Sequence, residues 1–524
     1  MSGLSRRRFL GLTGGAGALA AAGLAGPRLL GRAAATGELL TSEVPLPAPF
    51  RVPLPIPAVL APVARNADFD RYEIVQRQAT VEILPGVRTP IWGYQGTFPG
   101  PTIESRSGRT AIVRHRNELP VPTVVHLHGG RTPPESDGYP TDLVLPAGGT
   151  HPAHARGGHT GMHDPDAVLT QGEREYVYPL RQKAATLWYH DHRMDFTGPA
   201  VYRGLAGFHL IRDEEEDALP LPRGERELPL MITDRAFAAD GSLHYPSLDR
   251  TLTAVPGVEE PYIEGVLGDV LLVNGAPWPV AEVSATRHRL RVLNASNARR
   301  YDLALDPPPP GGRAFTQIGS DQGLLDAPRG HEHLPIAPAE RYDLVVDFGA
   351  YPVGTEVTLV NRLGTGSTAR VMRFRVVRRD TDDSHIPDRL GDTDPLDRAQ
   401  ATVTREFSFR GGRLGDRHGW TIGGLPYAPA RIDARPRLGD VEIWRFVTDL
   451  HHPIHLHLVH FHVLSRGGRE PGQYDAGRKD TVDLRPGEAV EVIARFDGYR
   501  GRYMFHCHNA EHEDMGMMAN FETV

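Results

Sequence analysis

Short apolar runs, broken by Gly, Pro and Asn, recur along the whole chain, and inside them hydrophobic and polar residues alternate. The clearest are TAIVRHRNEL (110–119), HRLRVLNAS (288–296), RYDLVVDF (341–348), VEIWRFVTDL (441–450) and AVEVIARF (489–496). A period of two gives an extended segment one face for a core and one for solvent. Turn residues return at roughly 8–12-residue spacing, the rhythm of sandwiches and barrels. Long helical patterns are few, so the pattern predicts an all-β chain.

Two charged stretches interrupt the rhythm, 212–227 and 378–398. Both are expected to be linkers or surface crossings. They divide the chain beyond residue 35 into pieces spanning 36–215, 216–385 and 386–524. The pieces echo one another. Residues 112–130 and 443–461 share a strand, a break and a His-Leu-His, and 289–305 fills the same place in the middle piece without a histidine pair. The reading is of three repeats with metal-type residues only in the first and last.

Composition narrows the classes. The 57 Gly and 46 Pro suit a turn-rich β chain, and a net charge of −7 without a basic stripe argues against nucleic acid as a partner. At the N-terminus, Ser5-Arg6-Arg7 followed by Phe9 and Leu10 resembles a twin-arginine export signal. The apolar run from Leu10 to Ala25 is too mild and short for a stable membrane span, and Ala33 to Ala35 offer a cleavage site. Residues 1–35 are therefore set aside as an export signal, with the twin-arginine machinery as a partner. The expected location is periplasmic or extracellular.

The chemistry lies in the histidines. His126-Leu-His128, His190-Asp-His192, His455-Leu-His457 and His506-Cys-His508 are four His-x-His units at opposite ends of the chain. In a strand, residues i and i+2 project from one face, so each unit aims two imidazoles at one point. Neutral imidazole suits copper, zinc, iron and nickel. Cys507 is the only cysteine among 524 residues, which excludes an internal disulfide and leaves an inert thiol, a nucleophile or a metal ligand. A Cys–His nucleophile would leave eight histidines unexplained. Alternation sends the Cys507 sulfur to the face opposite His506 and His508, toward a second site. His512 lies five residues on, Met517 ten residues on, and His452 precedes the third pair. Two His, one Cys and a distant Met form the trigonal set with a weak axial ligand of a blue-copper centre.

With HLHGG, LWYHDH, HPIHLH and HCHNAEHEDMGMM in place, the chain resembles the multicopper oxidases, above all the spore-coat laccases, phenoxazinone synthases and bilirubin oxidases. GSDQGLL and PAERYDLVVDF look like the same relatives. The resemblance implies three cupredoxin-like Greek-key domains and four copper ions. By motif, the type 1 copper would take His452, Cys507, His512 and axial Met517, the His-Pro step selecting His452 over His451. The type 2 copper would take His126 and His455. The type 3 pair would take His128, His190, His192, His457, His506 and His508. His460 and His462 match no family ligand and are read as strand residues.

The resemblance further implies a laccase-like reaction. Small aromatic substrates (phenols, aminophenols or bilirubin-like molecules) would give single electrons near an exposed edge of His512, and Cys507 would pass them to a trinuclear site that reduces O₂ to water. Proton supply falls to carboxylates, and Asp137 and Glu513 match the expected positions. Alternatives are a cuprous oxidase, disfavoured because only Met515, Met517 and Met518 of nine methionines cluster, and a copper-free scaffold, which would have lost the ligands. The stretch 146–166, with His151, His154, His159 and His163, reads as a solvated loop.

Overall fold

The computed structural model describes residues 36–149, 164–311 and 313–524. The export signal expected over 1–35 and the four histidines of the 146–166 stretch lie outside the described residues. The strands that carry the repeat are β1 (Phe69–Glu82), β2 (Thr110–Asn117), β3 (Val125–His128), β4 (Ala185–Asp191) and β5 (Ala206–Arg212) near the start. Then come β6 (Glu227–Arg235), β7 (Arg287–Asn294), β8 (Tyr301–Asp306), β9 (Glu356–Asn361) and β10 (Arg370–Arg378). Last are β11 (Ala401–Leu414), β12 (Val441–Thr448), β13 (His452–Leu456), β14 (Gly501–Cys507) and β15 (Met518–Thr523).

The same topology appears three times. In one sheet β1 runs parallel to β2, β6 to β7, and β11 to β12. In the other, β3–β4–β5, β8–β9–β10 and β13–β14–β15 pair antiparallel in that order. Burial alternates along β1 and β2, so Tyr72, Ile74, Ala111 and Val113 face an apolar core between the sheets. By contrast β3 and β4 are buried at every position, because their second face meets histidines of the third repeat.

The stretch 212–227, expected at the surface, is mostly exposed or half-buried, but one of its acids turns inward. It holds the helix Glu214–Asp217, and Glu216 on that helix is buried. Arg289 and Arg291, two apart on β7, turn their guanidinium groups to one face and donate to Glu216 at 3.0 Å each. Arg212 donates to Glu216 at 3.1 Å and to Glu227 at 2.7 Å, and Asp343 completes the group through Arg289. Burial would raise the Glu216 carboxyl, but the three arginines hold it far below the usual range. Glu216 thus belongs to a buried ion network while Glu214, Glu215 and Asp217 stay exposed, since a strand of arginines needs counter-charges when its outer face is covered. The second charged stretch runs without strands from 379 to 397, pinned where Asp382 accepts from the Arg287 amide at 2.9 Å. No helix among the described residues is long and apolar enough to cross a membrane.

Candidate metal centre

Register builds the centre. His190 lies opposite His126 in the β3–β4 pair, and His455 opposite His506 in the β13–β14 pair. Strand alternation then sends Cys507 to the other side of β14. All eight paired histidines are buried, and their ring nitrogens fall into overlapping groups: His126/His128/His455, His128/His190/His508 and His192/His457/His506. A separate buried group holds His452, Cys507 and His512.

Hydrogen bonds fix which nitrogen faces inward in six of the rings, His126, His128, His190, His455, His457 and His506. His457 Nδ1 donates to Asp137 Oδ2 at 2.8 Å and His506 Nδ1 to the Cys507 carbonyl at 3.0 Å. Their Nε2 atoms therefore carry lone pairs, yet stand 3.2 Å apart, and His192 Nε2 is also 3.2 Å from His506 Nε2. Likewise His126 Nδ1 donates to the Asp137 carbonyl at 2.6 Å and His455 Nδ1 to the Asp480 carbonyl at 2.8 Å, leaving their Nε2 atoms face to face at 3.4 Å. In the remaining group His128 Nδ1, His190 Nε2 and His508 Nε2 are buried without a hydrogen-bond partner. Burial, then neighbouring imidazoles, lowers the His126, His457 and His508 rings well below the usual range and His190 to about 3, and burial lowers His192 to about 4. Neutral lone pairs that converge in a dry site repel unless they share a cation, so the donor set fits metal ions.

The thiol site follows the same rule. His452 Nε2 is oriented by Asp449 Oδ1 at 3.0 Å and His512 Nε2 by the Glu264 carbonyl at 3.2 Å. Both Nδ1 atoms then face Cys507 Sγ, at 3.4 and 3.6 Å, and each other at 3.0 Å. Burial pushes the Cys507 thiol far up, so a thiolate here requires a cation beside it. Asn509 explains the local turn: its side chain accepts from the Glu511 and His512 amides and starts the short helix Ala510–Asp514, which carries His512 back over Cys507. Met517 packs in the same apolar cluster as Cys507. The expected exposed edge of His512 is corrected. His512 is 1% exposed, and Trp420 lies over its ring at 3.8 Å between centroids.

Both candidate acids are buried inside the centre, not solvated. Asp137 Oδ2 bonds His457, and Oδ1 makes no hydrogen bond but lies 3.8 Å from His126 Nδ1. Burial raises its carboxyl well above the usual range, with the Thr132 hydroxyl opposing. Glu513 Oε1 accepts from Thr197 Oγ1 at 2.7 Å and Oε2 is 3.2 Å from His506 Nδ1. Burial opposes its ionisation, but His506 and His192 hold the carboxyl low. The environments drive the two groups apart, toward a neutral acid and a carboxylate. Sequence reasoning missed Asp449, Glu264, Trp420, Thr197 and Asp480. Only Asp480 left a signal, an acid beside a rare lysine, Lys479, between apolar strands.

Comparison with known proteins places this geometry. Family models for multicopper oxidases match residues 394–524, 76–151 and 151–216. The chain is similar to the laccase of Bacillus stratosphericus, 37% identical over 532 residues (90% of this chain, 98% of the relative). It is also similar to the bilirubin oxidase of Albifimbria verrucaria, 35% identical with 91% of this chain and 81% of the relative covered. Among solved structures, a multi-copper oxidase from Pediococcus acidilactici superposes with a TM-score of 0.78, at 30% identity and covering 93% of each chain. The chain belongs to the multicopper oxidase family, as a copper-dependent oxidoreductase of laccase-like function.

Proposed function

We propose that the chain couples one-electron oxidation of small aromatic substrates, phenols or aminophenols, to the four-electron reduction of O₂ to water, using four copper ions. The observation that carries the reading is the position of Cys507. Its sulfur belongs to one donor group while its sequence neighbours His506 and His508 belong to the groups on the other face of β14. His452, Cys507 and His512, with Met517 beside them, would hold the type 1 ion. His126 and His455 would hold the type 2 ion, and His128, His190, His192, His457, His506 and His508 would hold the type 3 pair. Bound copper supplies one-electron redox steps and a binding place for O₂.

The chain's own residues set the conditions for that chemistry. His512 is covered by Trp420 and the Glu264 carbonyl, so these atoms stand between an outside donor and the thiol site. From the thiol, a short covalent path along Cys507 reaches both neighbouring histidines. Histidines committed to metal deliver no protons, and Asp137 holds one at a carboxyl that burial keeps neutral. Glu513, bonded to the Thr197 hydroxyl, accepts and passes a proton beside His506. The N-terminal Ser5-Arg6-Arg7 run supports export of the folded protein by the twin-arginine route.

An oxygen electrode tests the proposal. Purified protein given a phenolic donor is expected to consume one O₂ per four donor electrons without hydrogen peroxide. Accumulation of peroxide, or no uptake by copper-loaded protein, would overturn it.

A further inference from the structure

The middle repeat carries no histidine pair, yet it reaches the histidines. Arg341 lies at the start of the strand Arg341–Asp347 and is fully buried. Its five N–H groups are all used. Nε donates to the Thr186 carbonyl at 2.9 Å, Nη1 to the Ala339 carbonyl at 3.0 Å, and Nη2 to the Asp321 carbonyl at 3.0 Å. The other two form a fork on Asp480, Nη1 to Oδ1 at 2.6 Å and Nη2 to Oδ2 at 2.5 Å. Gln322 adds a bond to Asp480 Oδ2 at 2.6 Å. The Asp321 carboxylate accepts from the Arg341 amide at 2.8 Å, and its Oδ2 is 3.1 Å from Lys479 Nζ.

Asp480 in turn holds two histidines of one donor group. Its Oδ1 accepts from His128 Nε2 at 3.0 Å, and its carbonyl accepts from His455 Nδ1 at 2.8 Å. Thr481 Oγ1 stands 3.2 Å from His128 Nε2 and donates to Asp480 Oδ1 at 3.0 Å. These bonds fix the tautomers that leave His128 Nδ1 and His455 Nε2 free for metal. The first repeat is shaped to admit the clamp. At Gly129, directly after His128, an added Cβ would lie 2.7 Å from Arg341 Nη2 and 2.8 Å from Asp480 Oδ2. The Gly129 carbonyl also accepts from Gln322 and Gln182, both at 2.9 Å.

We infer that Arg341 is a positioning residue for the copper centre: its fork on Asp480 locks His128 and His455 from the ligand-free middle repeat. A planar fork with five acceptors has no substitute in lysine, whose ammonium offers three donors at one point. The inference rests on the proposal that these histidines hold copper.

The test is copper titration of the metal-free full-length protein, followed by electron paramagnetic resonance, for the wild type, Arg341→Lys and Gln322→Met. Cys507 and its histidines serve as an internal reference, since no clamp residue touches them. In Arg341→Lys, copper at the type 2 histidines His126 and His455 and at the type 3 ligand His128 is expected to bind about 10–100-fold more weakly, with a changed type 2 signal, while the blue band keeps its intensity. Gln322→Met, which leaves the fork in place, is expected to shift in the same direction by less, and it keeps the test open should Arg341→Lys not fold. Wild-type affinity and signal in a folded Arg341→Lys, or in Gln322→Met where the lysine variant does not fold, would overturn the inference. Equal weakening at the Cys507 site would also overturn it, as general loosening. Wild-type protein that takes up copper only at Cys507 would instead overturn the underlying assignment.

Discussion

Gly129 gives a prediction whose size follows from geometry. It follows the His126-Leu-His128 strand at φ +87, where a side chain is strained. The Cβ of an alanine there would stand 2.7 Å from Arg341 Nη2 and Leu187 Cδ2 and 2.8 Å from Asp480 Oδ2. Gly129→Ala thus carries a backbone term of about 1–3 kcal/mol and an overpacking term of about 1–3 kcal/mol, together about 2–6 kcal/mol. Gly439 is the control. Its φ is +95, and nothing lies within 4 Å of an added Cβ, so Gly439→Ala carries the backbone term alone. The difference between the variants, about 1–3 kcal/mol, isolates the crowding at the clamp. The assay is chemical denaturation of the copper-free proteins, so that metal binding adds nothing to stability. Equal destabilisation of the two variants would refute the crowding argument.

Cys507→Ser is expected to abolish the blue colour and donor oxidation while the β-fold survives; circular dichroism and the visible spectrum check it, and a blue serine variant would contradict it. Met517→Leu should keep the colour but raise the reduction potential of the site, because a weak thioether donor is lost; redox titration reads the shift. Asp137→Asn should bind copper and accept electrons normally but slow reoxidation by O₂ by about 10²–10⁴-fold, measured by mixing reduced enzyme with O₂. Glu216→Gln should destabilise the fold by about 3–5 kcal/mol, since Arg289 and Arg291 lose a buried counter-charge. The folded Glu216 carboxyl sits below its unfolded value, so this stabilisation is present above the unfolded pKa and fades as pH falls toward the folded one. Wild type and Glu216→Gln should therefore converge in strong acid.

What the sequence made legible was short-range. His126 and His128 share a face because strand residues alternate, and Cys507 takes the other face from His506 for the same reason. The all-β class followed from the same period. The partners that orient the rings are distant in sequence and were not legible: Asp480 meets His128 across 352 positions and Arg341 across 139. Charge alone misled at Glu216, which looks solvated until β7 sets Arg289 and Arg291 against it. The cover over His512 was invisible for a similar reason, because Trp420 and Glu264 come from segments with no local link to the thiol.

The most direct measurement is copper per chain with the visible spectrum of the same purified sample. The account predicts four copper ions and an intense blue thiolate band that disappears in Cys507→Ser. A folded, copper-saturated protein that holds two ions or fewer, or stays colourless, would contradict it.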